Sequence, residues 1–225
     1  MSLATKVTFY FDVISPYSYL AFESLQRYQR HGDFDLKIIP FYLGGVMKET
    51  GNKPPAMIPA KGKYMVRDLS NMADYWGMKI TQPKDFFETA IKHGTLKAQR
   101  FLTSVAANDS SFLAPAAREF WQNIWVDQKS AHLDQDILDV AQRIGLKGAL
   151  LEKILVDANS EQIKAVLLQN TTDAIKKGCF GAPWIVVQKG NEKEVCFFGS
   201  DRLPQILKIA GKEYKGPLLH LSSKL

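Results

Sequence analysis

The apolar period changes twice along this chain, and few folds accommodate that pattern. Near the start, "KVTFYFDV" (Lys6 to Val13) and "DLKIIPFY" (Asp35 to Tyr42) are rich in the β-branched and aromatic residues of strands. Between them, "YLAFESLQRYQ" places Leu20, Leu25 and Tyr28 near one helical face. Strand, helix and strand in so short a span make a βαβ unit, whose crossover sets the two strands parallel. From Gly62 to about Gly178 the period is helical. Met65, Leu69, Met72 and Trp76 recur at four, three and four, and "PAAREFWQNIWVD" gathers Phe120, Trp121, Ile124 and Trp125 on one side. "PKDFFETAIKHG" opens at Pro83 and stops at Gly94, "DQDILDVAQRIG" has Asp134 as expected cap and Gly145 as stop, and "SEQIKAVLLQNTTDAIKKG" closes at Gly178. Strands then return as "PWIVVQK" (Pro183 to Lys189) and "EVCFFG" (Glu194 to Gly199), with a turn through Gly190-Asn191. The last helix is "DRLPQILKIAG". Pro204 belongs in its first turn, which makes Asp201 rather than Ser200 the expected cap, to within a residue or so.

Without its middle the chain reads βαβ-ββα, the order of a thioredoxin-like α/β fold, so the helical block is expected to be a large all-helical insertion. The expected division is a discontinuous thioredoxin-like domain of residues 1–61 plus 179–225 and an inserted domain of residues 62–178. The Gly- and Pro-dense "GGVMKETGNKPPAMIPAKG" (Gly44 to Gly62) is expected to be an irregular functional loop.

The chain's 225 residues can bury a core without disulfide staples. No stretch approaches the roughly 18 uninterrupted apolar residues of a membrane span, so no membrane insertion is expected. The first residues lack the apolar core of a signal peptide. Net charge is +6, but the basic residues are scattered and the longest pure basic run is Lys176-Lys177. That distribution argues against nucleic acid, whose binders concentrate charge, and suits a small anionic ligand. Cys179 and Cys196 match no zinc or redox spacing and are expected to be inert core residues. His31, His93, His132 and His220 form no ligand spacing, so no metal is assigned. The closing Ser223-Lys224-Leu225 spells the C-terminal peroxisomal address, the alternatives being mitochondrion or cytosol.

Four separated motifs carry a more specific signal: "DVISPYSYLAFE", "GNKPP" with the following "PAKGKY", "FGAPWIVV" and "FFGSDR". Together and in this order they resemble the kappa-class glutathione transferases, over nearly the whole chain. That family is similar in fold to thioredoxin-type disulfide oxidoreductases with a helical insertion, and to the glutathione-using 2-hydroxychromene-2-carboxylate isomerases. The resemblance implies a catalytic serine at Ser15. It implies glutathione contacts at Pro16 and Tyr17, at Asn52 and Lys61, at Ala182 and Pro183, and at Ser200 and Asp201 with Arg202 beside them. It also implies a cis bond before Pro183, a homodimer and a role in detoxification. Ala182 and Tyr19 depart from the pattern, where a larger aliphatic residue and an indole are common. The contact at 182 runs through backbone, so the smaller side chain matters little there.

Ser15 sits where a redox relative would carry the first cysteine of Cys-x-x-Cys. No histidine is placed in sequence to activate it, which leaves its hydroxyl as a hydrogen-bond donor. Cysteine pKa values fall from about 8.5 to about 3.5–7.5 at such helix starts, because free N–H groups and the helix dipole favour a thiolate. A hydroxyl in the same place can favour a thiolate brought in by a ligand. Ser15 also fits a plain N-cap with Pro16 at the first helical position, and the two roles are compatible. Ser18, one turn on, is expected to be buried or capping. For a tripeptide thiol, the extended backbone at Ala182 offers strand-like pairing, and the helix start near Ser200 offers N–H groups to a carboxylate. Asp201 suits an ammonium, Lys61 a carboxylate and Asn52 an amide. Each also has a purely structural reading, as a cap, a solvated lysine and a turn-former.

The expected function is therefore a glutathione transferase conjugating the thiol to small electrophiles, with reduction of organic hydroperoxides by the same thiolate. The alternatives are a glutathione-dependent isomerase of the 2-hydroxychromene-2-carboxylate type and a non-catalytic thioredoxin-fold peptide-binding module. The second substrate is expected between the helical block and the long loop, where Tyr64 and Trp76 are among the aromatics.

Overall fold

In the computed structural model, which describes residues 5–84 and 92–217, the two ends of the chain build one mixed sheet. The elements run β1 (Thr5–Phe11), α1 (Pro16–Gln29), β2 (Asp35–Pro40), α2 (Leu43–Thr50), α3 (Pro59–Tyr75), α4 (Leu96–Asn108) and α5 (Leu113–Trp125). They continue with α6 (Asp134–Arg143), α7 (Gly148–Asp157), α8 (Glu161–Lys176), β3 (Trp184–Lys189), β4 (Val195–Phe198) and α9 (Leu203–Ala210). Most of the helix expected after Pro83, His220 and the closing Ser223-Lys224-Leu225 lie outside the described residues.

The sheet order is β2-β1-β3-β4. β1 pairs parallel with β2 and antiparallel with β3, with Phe9 opposite both Ile38 and Ile185. The two-residue period of strands divides the side chains between faces. Val7, Phe9, Phe11, Ile185 and Val187 join α1, α5 and α9 in the larger apolar cluster. Tyr10, Trp184 and Val186 face the other way, onto Phe41, Leu43, Val46 and Ala174 of the α2–α8 layer. The larger cluster runs without a break from the sheet into α3–α7.

The helical block is fastened at the C-terminal ends of the two parallel strands. Gln99 of α4 donates from Nε2 to the carbonyls of Phe11 (2.8 Å) and Phe41 (2.7 Å). Trp121 of α5 is fully buried, lies 4.9 Å from the Phe22 ring and 5.2 Å from Phe11, and donates its indole N–H to the Ser15 carbonyl at 3.1 Å. Crevices outside the carboxyl ends of parallel strands are where α/β folds place ligands, and here two helices of the block frame that edge.

Several local expectations need correction. Residues 44–62 are not an irregular loop: they contain α2, a 3₁₀ turn at Pro55–Met57 and the start of α3. Leu43 and Val46 bury one face of α2, and Gly51 closes it in the left-handed region. Gly44, one of the glycines that suggested a loop, is held by close packing, since a Cβ on it would stand 2.7 Å from the Tyr42 ring. α3 opens at Pro59, which places Lys61 in a helical first turn rather than on a loop. The cap of α6 is Leu133, whose N–H is taken by Asp136 at 2.9 Å, and Asp134 is the first helical residue. The cap of α9 is Arg202, within one residue of the expected Asp201. Cys179 is buried as expected, but Cys196 is exposed, because β4 has a sheet neighbour on one side only.

Candidate active site

The turn from β1 into α1 is built by Asp12 and Ser15. The Ser15 N–H donates to the Asp12 carbonyl at 3.0 Å. Ser15 is then the N-cap of α1, with extended backbone, Pro16 in the first turn, and its Oγ accepting the Ser18 N–H at 3.1 Å. The proton of the same hydroxyl points to the Ala182 carbonyl, 3.2 Å away across the sheet end. Pro16 has no N–H, and the Ser18 N–H is committed to the cap, so the Tyr17 N–H is the donor that α1 presents without an acceptor among the described residues. Ser18 is fully buried, and its own hydroxyl has no partner among the described residues.

Ala182 is held by its surroundings more than by its side chain. The Ala182–Pro183 bond is cis. The Gly199 N–H donates to the Pro183 carbonyl at 3.3 Å, and Asn52 reaches over from the end of α2 to donate from Nδ2 to the Phe180 carbonyl at 2.7 Å. Gly181 allows this close approach: a Cβ there would stand 2.9 Å from Cε2 of Phe198. After β4, Arg202 donates from Nε to the Phe198 carbonyl at 3.1 Å and pairs with Asp201 at 3.2 Å. Ser200 is buried beneath that turn and Asp201 is exposed.

All of the residues singled out from the sequence, from Ser15, Pro16 and Tyr17 through Asn52 and Lys61 to Ala182, Pro183, Ser200, Asp201 and Arg202, line one cleft of about 820 Å³. An apolar wall is added by Met47, Met65, Met72, Pro54 and Pro55. Tyr64 lines the cleft, but Trp76 does not. It is buried at the end of α3, where its carbonyl accepts Arg27 at 2.8 Å. His93 borders the cleft and stacks on His132 with ring centres 3.9 Å apart. Among the described residues no group of three or more His, Cys, Asp or Glu could hold a metal ion.

Two acids in the cleft escaped the sequence reading. Asp68 of α3 accepts the Tyr17 hydroxyl at 2.7 Å and the Tyr64 hydroxyl at 3.2 Å. Burial, and then that carboxylate, hold the Tyr17 phenol protonated far above its ordinary range. The Tyr64–Asp68 spacing of four on a helix could have suggested the second bond, but nothing local points to Tyr17. Asp12, an acid closing the apolar run "FYFDV", is fully buried and pushed up to about 6 by desolvation. Its place inside a strand-like run was the available signal.

A DSBA-like thioredoxin domain model matches residues 6–210. Among solved structures, a 2-hydroxychromene-2-carboxylate isomerase superposes with a TM-score of 0.73 at 21% identity, covering 92% of this chain and 94% of that one, which is a likeness of fold. Among curated proteins, glutathione S-transferase kappa 1 of Rattus norvegicus is 37% identical over 93% of this chain and 92% of its own. Its Caenorhabditis elegans namesake is 39% identical over 88% and 87%, and that of Homo sapiens 34% over 96% and 95%. Identity of 34–39% over 88–96% of the chain, on a serine-bearing thioredoxin scaffold, places the chain in the glutathione S-transferase kappa family.

Proposed function

We propose that this glutathione transferase holds glutathione in the 820 Å³ cleft, stabilises its thiolate with the Ser15 hydroxyl, and conjugates it to small electrophiles. The observation that carries the reading is the division of labour between two hydroxyls. Tyr17 gives its only proton to Asp68, so it has none for a sulfur. The Ser15 proton rests on the Ala182 carbonyl at 3.2 Å, a long bond that is easily exchanged. When the tripeptide pairs with the backbone at 182, its cysteinyl N–H takes that carbonyl and the hydroxyl turns to sulfur. One bond is replaced by two, and the new O–H···S⁻ bond is charge-assisted. The Tyr17 N–H and the start of α1 add the positive end of a helix to the same point.

In this reading Asn52 holds the Phe180–Ala182 loop and borders the peptide. Lys61 takes the glycyl carboxylate. Asp201, with Arg202 and the backbone at Ser200, receives the γ-glutamyl end. The second substrate lies against the Met47, Met65, Met72 and Tyr64 wall, and the thiolate reduces organic hydroperoxides as well. Turnover of a model aryl halide, with the conjugate and the remaining thiol both measured, tests the function. Stoichiometric loss of thiol is expected. Isomerisation of a 2-hydroxychromene-2-carboxylate without net loss of thiol would instead mean an isomerase, and glutathione binding without turnover of either substrate would mean a peptide-binding module.

A further inference from the structure

We propose that Asp12 is a positioning residue for Ser15, whose carboxylate, while ionised, ties together three segments that form the cleft and sets the hydroxyl in place. The inference rests on the cleft being a glutathione site only for its kinetic consequence. Its geometry stands on the chain itself.

The side chain is entirely buried, yet both of its oxygens accept hydrogen bonds. Oδ1 accepts the Ile14 N–H at 3.1 Å and the Thr95 hydroxyl at 2.5 Å, and Oδ2 accepts the Leu43 N–H at 3.0 Å. These donors belong to the turn before Ser15, the cap of α4 and the first turn of α2, and all three segments line the cleft. The Asp12 carbonyl holds the Ser15 N–H, so the tie reaches the serine one bond away. The carboxylate accepts at both oxygens. An amide must turn hydrogens toward the Leu43 N–H or the Ile14 N–H and loses that attachment. A neutral acid either does the same or donates to the Thr95 hydroxyl, which reverses to accept and leaves Oδ1 a weaker acceptor for the Ile14 N–H.

Among the described residues, all three of its hydrogen-bond donors are neutral. The ionisable groups on the surrounding elements include Tyr10 on β1, Tyr42 ahead of α2, Lys48 and Glu49 on α2, Lys92 and His93 ahead of α4, and Lys97 and Arg100 on α4. Tyr42 is itself pushed up by burial and by Asp12. Desolvation lifts the Asp12 carboxyl from 3.8 to about 6. Because the folded value lies above the unfolded one, the folded chain takes up the proton first. The stability contributed by this group is fully present below about 3.8 and is lost as pH rises through about 6. Acid therefore strengthens the fold at Asp12 and loosens the site. A carboxylate that served the scaffold alone would not separate the two.

The experiment follows the carboxyl carbon of Asp12 and the amide signals of Ser15 and Leu43 by NMR against pH in the full chain, with melting temperature and glutathione kcat/KM over the same range. The Ser15 amide should titrate with Asp12 near pH 6, and kcat/KM should fall through the same inflection. Asp12→Asn should lose roughly tenfold or more in kcat/KM and lack the inflection, while melting no lower than the native protein at neutral pH. Should Asp12→Asn not fold, Thr95→Val removes one donor and should move the inflection to higher pH. A Ser15 amide indifferent to Asp12, an inflection surviving in Asp12→Asn, or one unmoved in Thr95→Val overturns the inference. A native protein that turns over no glutathione, with the Ser15 amide still following Asp12, leaves this inference standing and removes the glutathione reading instead.

Discussion

Replacing Ser15 by alanine removes two interactions of different worth, and the structure lets them be separated. The cap bond from the Ser18 N–H, at 3.1 Å, is worth about 1 kcal/mol, the usual loss when an N-cap serine becomes alanine. The bond to the Ala182 carbonyl is neutral and long at 3.2 Å, and water entering the cleft can replace it, so it adds about 0.5 kcal/mol at most. At about 2–4 °C per kcal/mol for a chain of this size, the variant should melt only a few degrees lower and stay folded. The effect on the bound thiol is larger. A charge-assisted hydrogen bond to the thiolate contributes about 1.5–3 kcal/mol, which at 1.36 kcal/mol per unit is roughly one to two pKa units. The helix start remains in the variant, so the shift should be incomplete. Starting from a free thiol near 8.5, the native complex should titrate around 7, and the alanine complex should have roughly tenfold less thiolate at neutral pH. Ultraviolet thiolate absorbance of bound glutathione, titrated with pH in both proteins, reads this directly. If both titrate alike, the Ser15 hydroxyl does not hold the sulfur's charge.

Tyr17→Phe should have the complementary outcome. It removes the 2.7 Å bond to Asp68 and should lower stability by about 1.5 kcal/mol in chemical denaturation, the low end for a bond to a charged group because Asp68 borders the cleft and can be rehydrated. The bound-thiol titration should stay where the native protein has it, and a rise matching that of Ser15→Ala would disprove the assignment of roles. Gly181→Ala puts a Cβ 2.9 Å from Phe198. Phe198 is partly exposed and can move, so the overpacking should be worth about 1 kcal/mol, and calorimetry with S-methylglutathione should show weaker binding. Deleting Ser223-Lys224-Leu225 from a fluorescent fusion should move it out of peroxisomes, the address proposed from the sequence; unchanged location would refute that proposal.

The strands and α1 could be read from the chain because their signal is local, in alternation for β1 and in the Ser15-Pro16 start for α1. α2 could not. Its two glycines look like loop residues until the Tyr42 ring is seen to lie against Gly44, a contact decided by tertiary packing. The same holds for Cys196, whose exposure depends on which strand forms the sheet edge, and for Trp76, whose helix position resembles that of Met72 although only Met72 reaches the cleft. The cleft's residues were found through motifs spread over the chain. Tyr17 and Asp68, though, lie 51 positions apart, and Thr95 lies 83 from Asp12. No periodicity encodes such pairings.

The indole of Trp121 on the Ser15 carbonyl limits how freely this architecture can be recombined. A protein engineer who grafted the helical cassette of a relative onto this sheet, or trimmed it toward a minimal scaffold, would keep the serine and still lose the bolt behind it. Exchange between lineages should therefore succeed where an aromatic N–H or an equivalent donor travels with the transplanted helix, and fail where it does not.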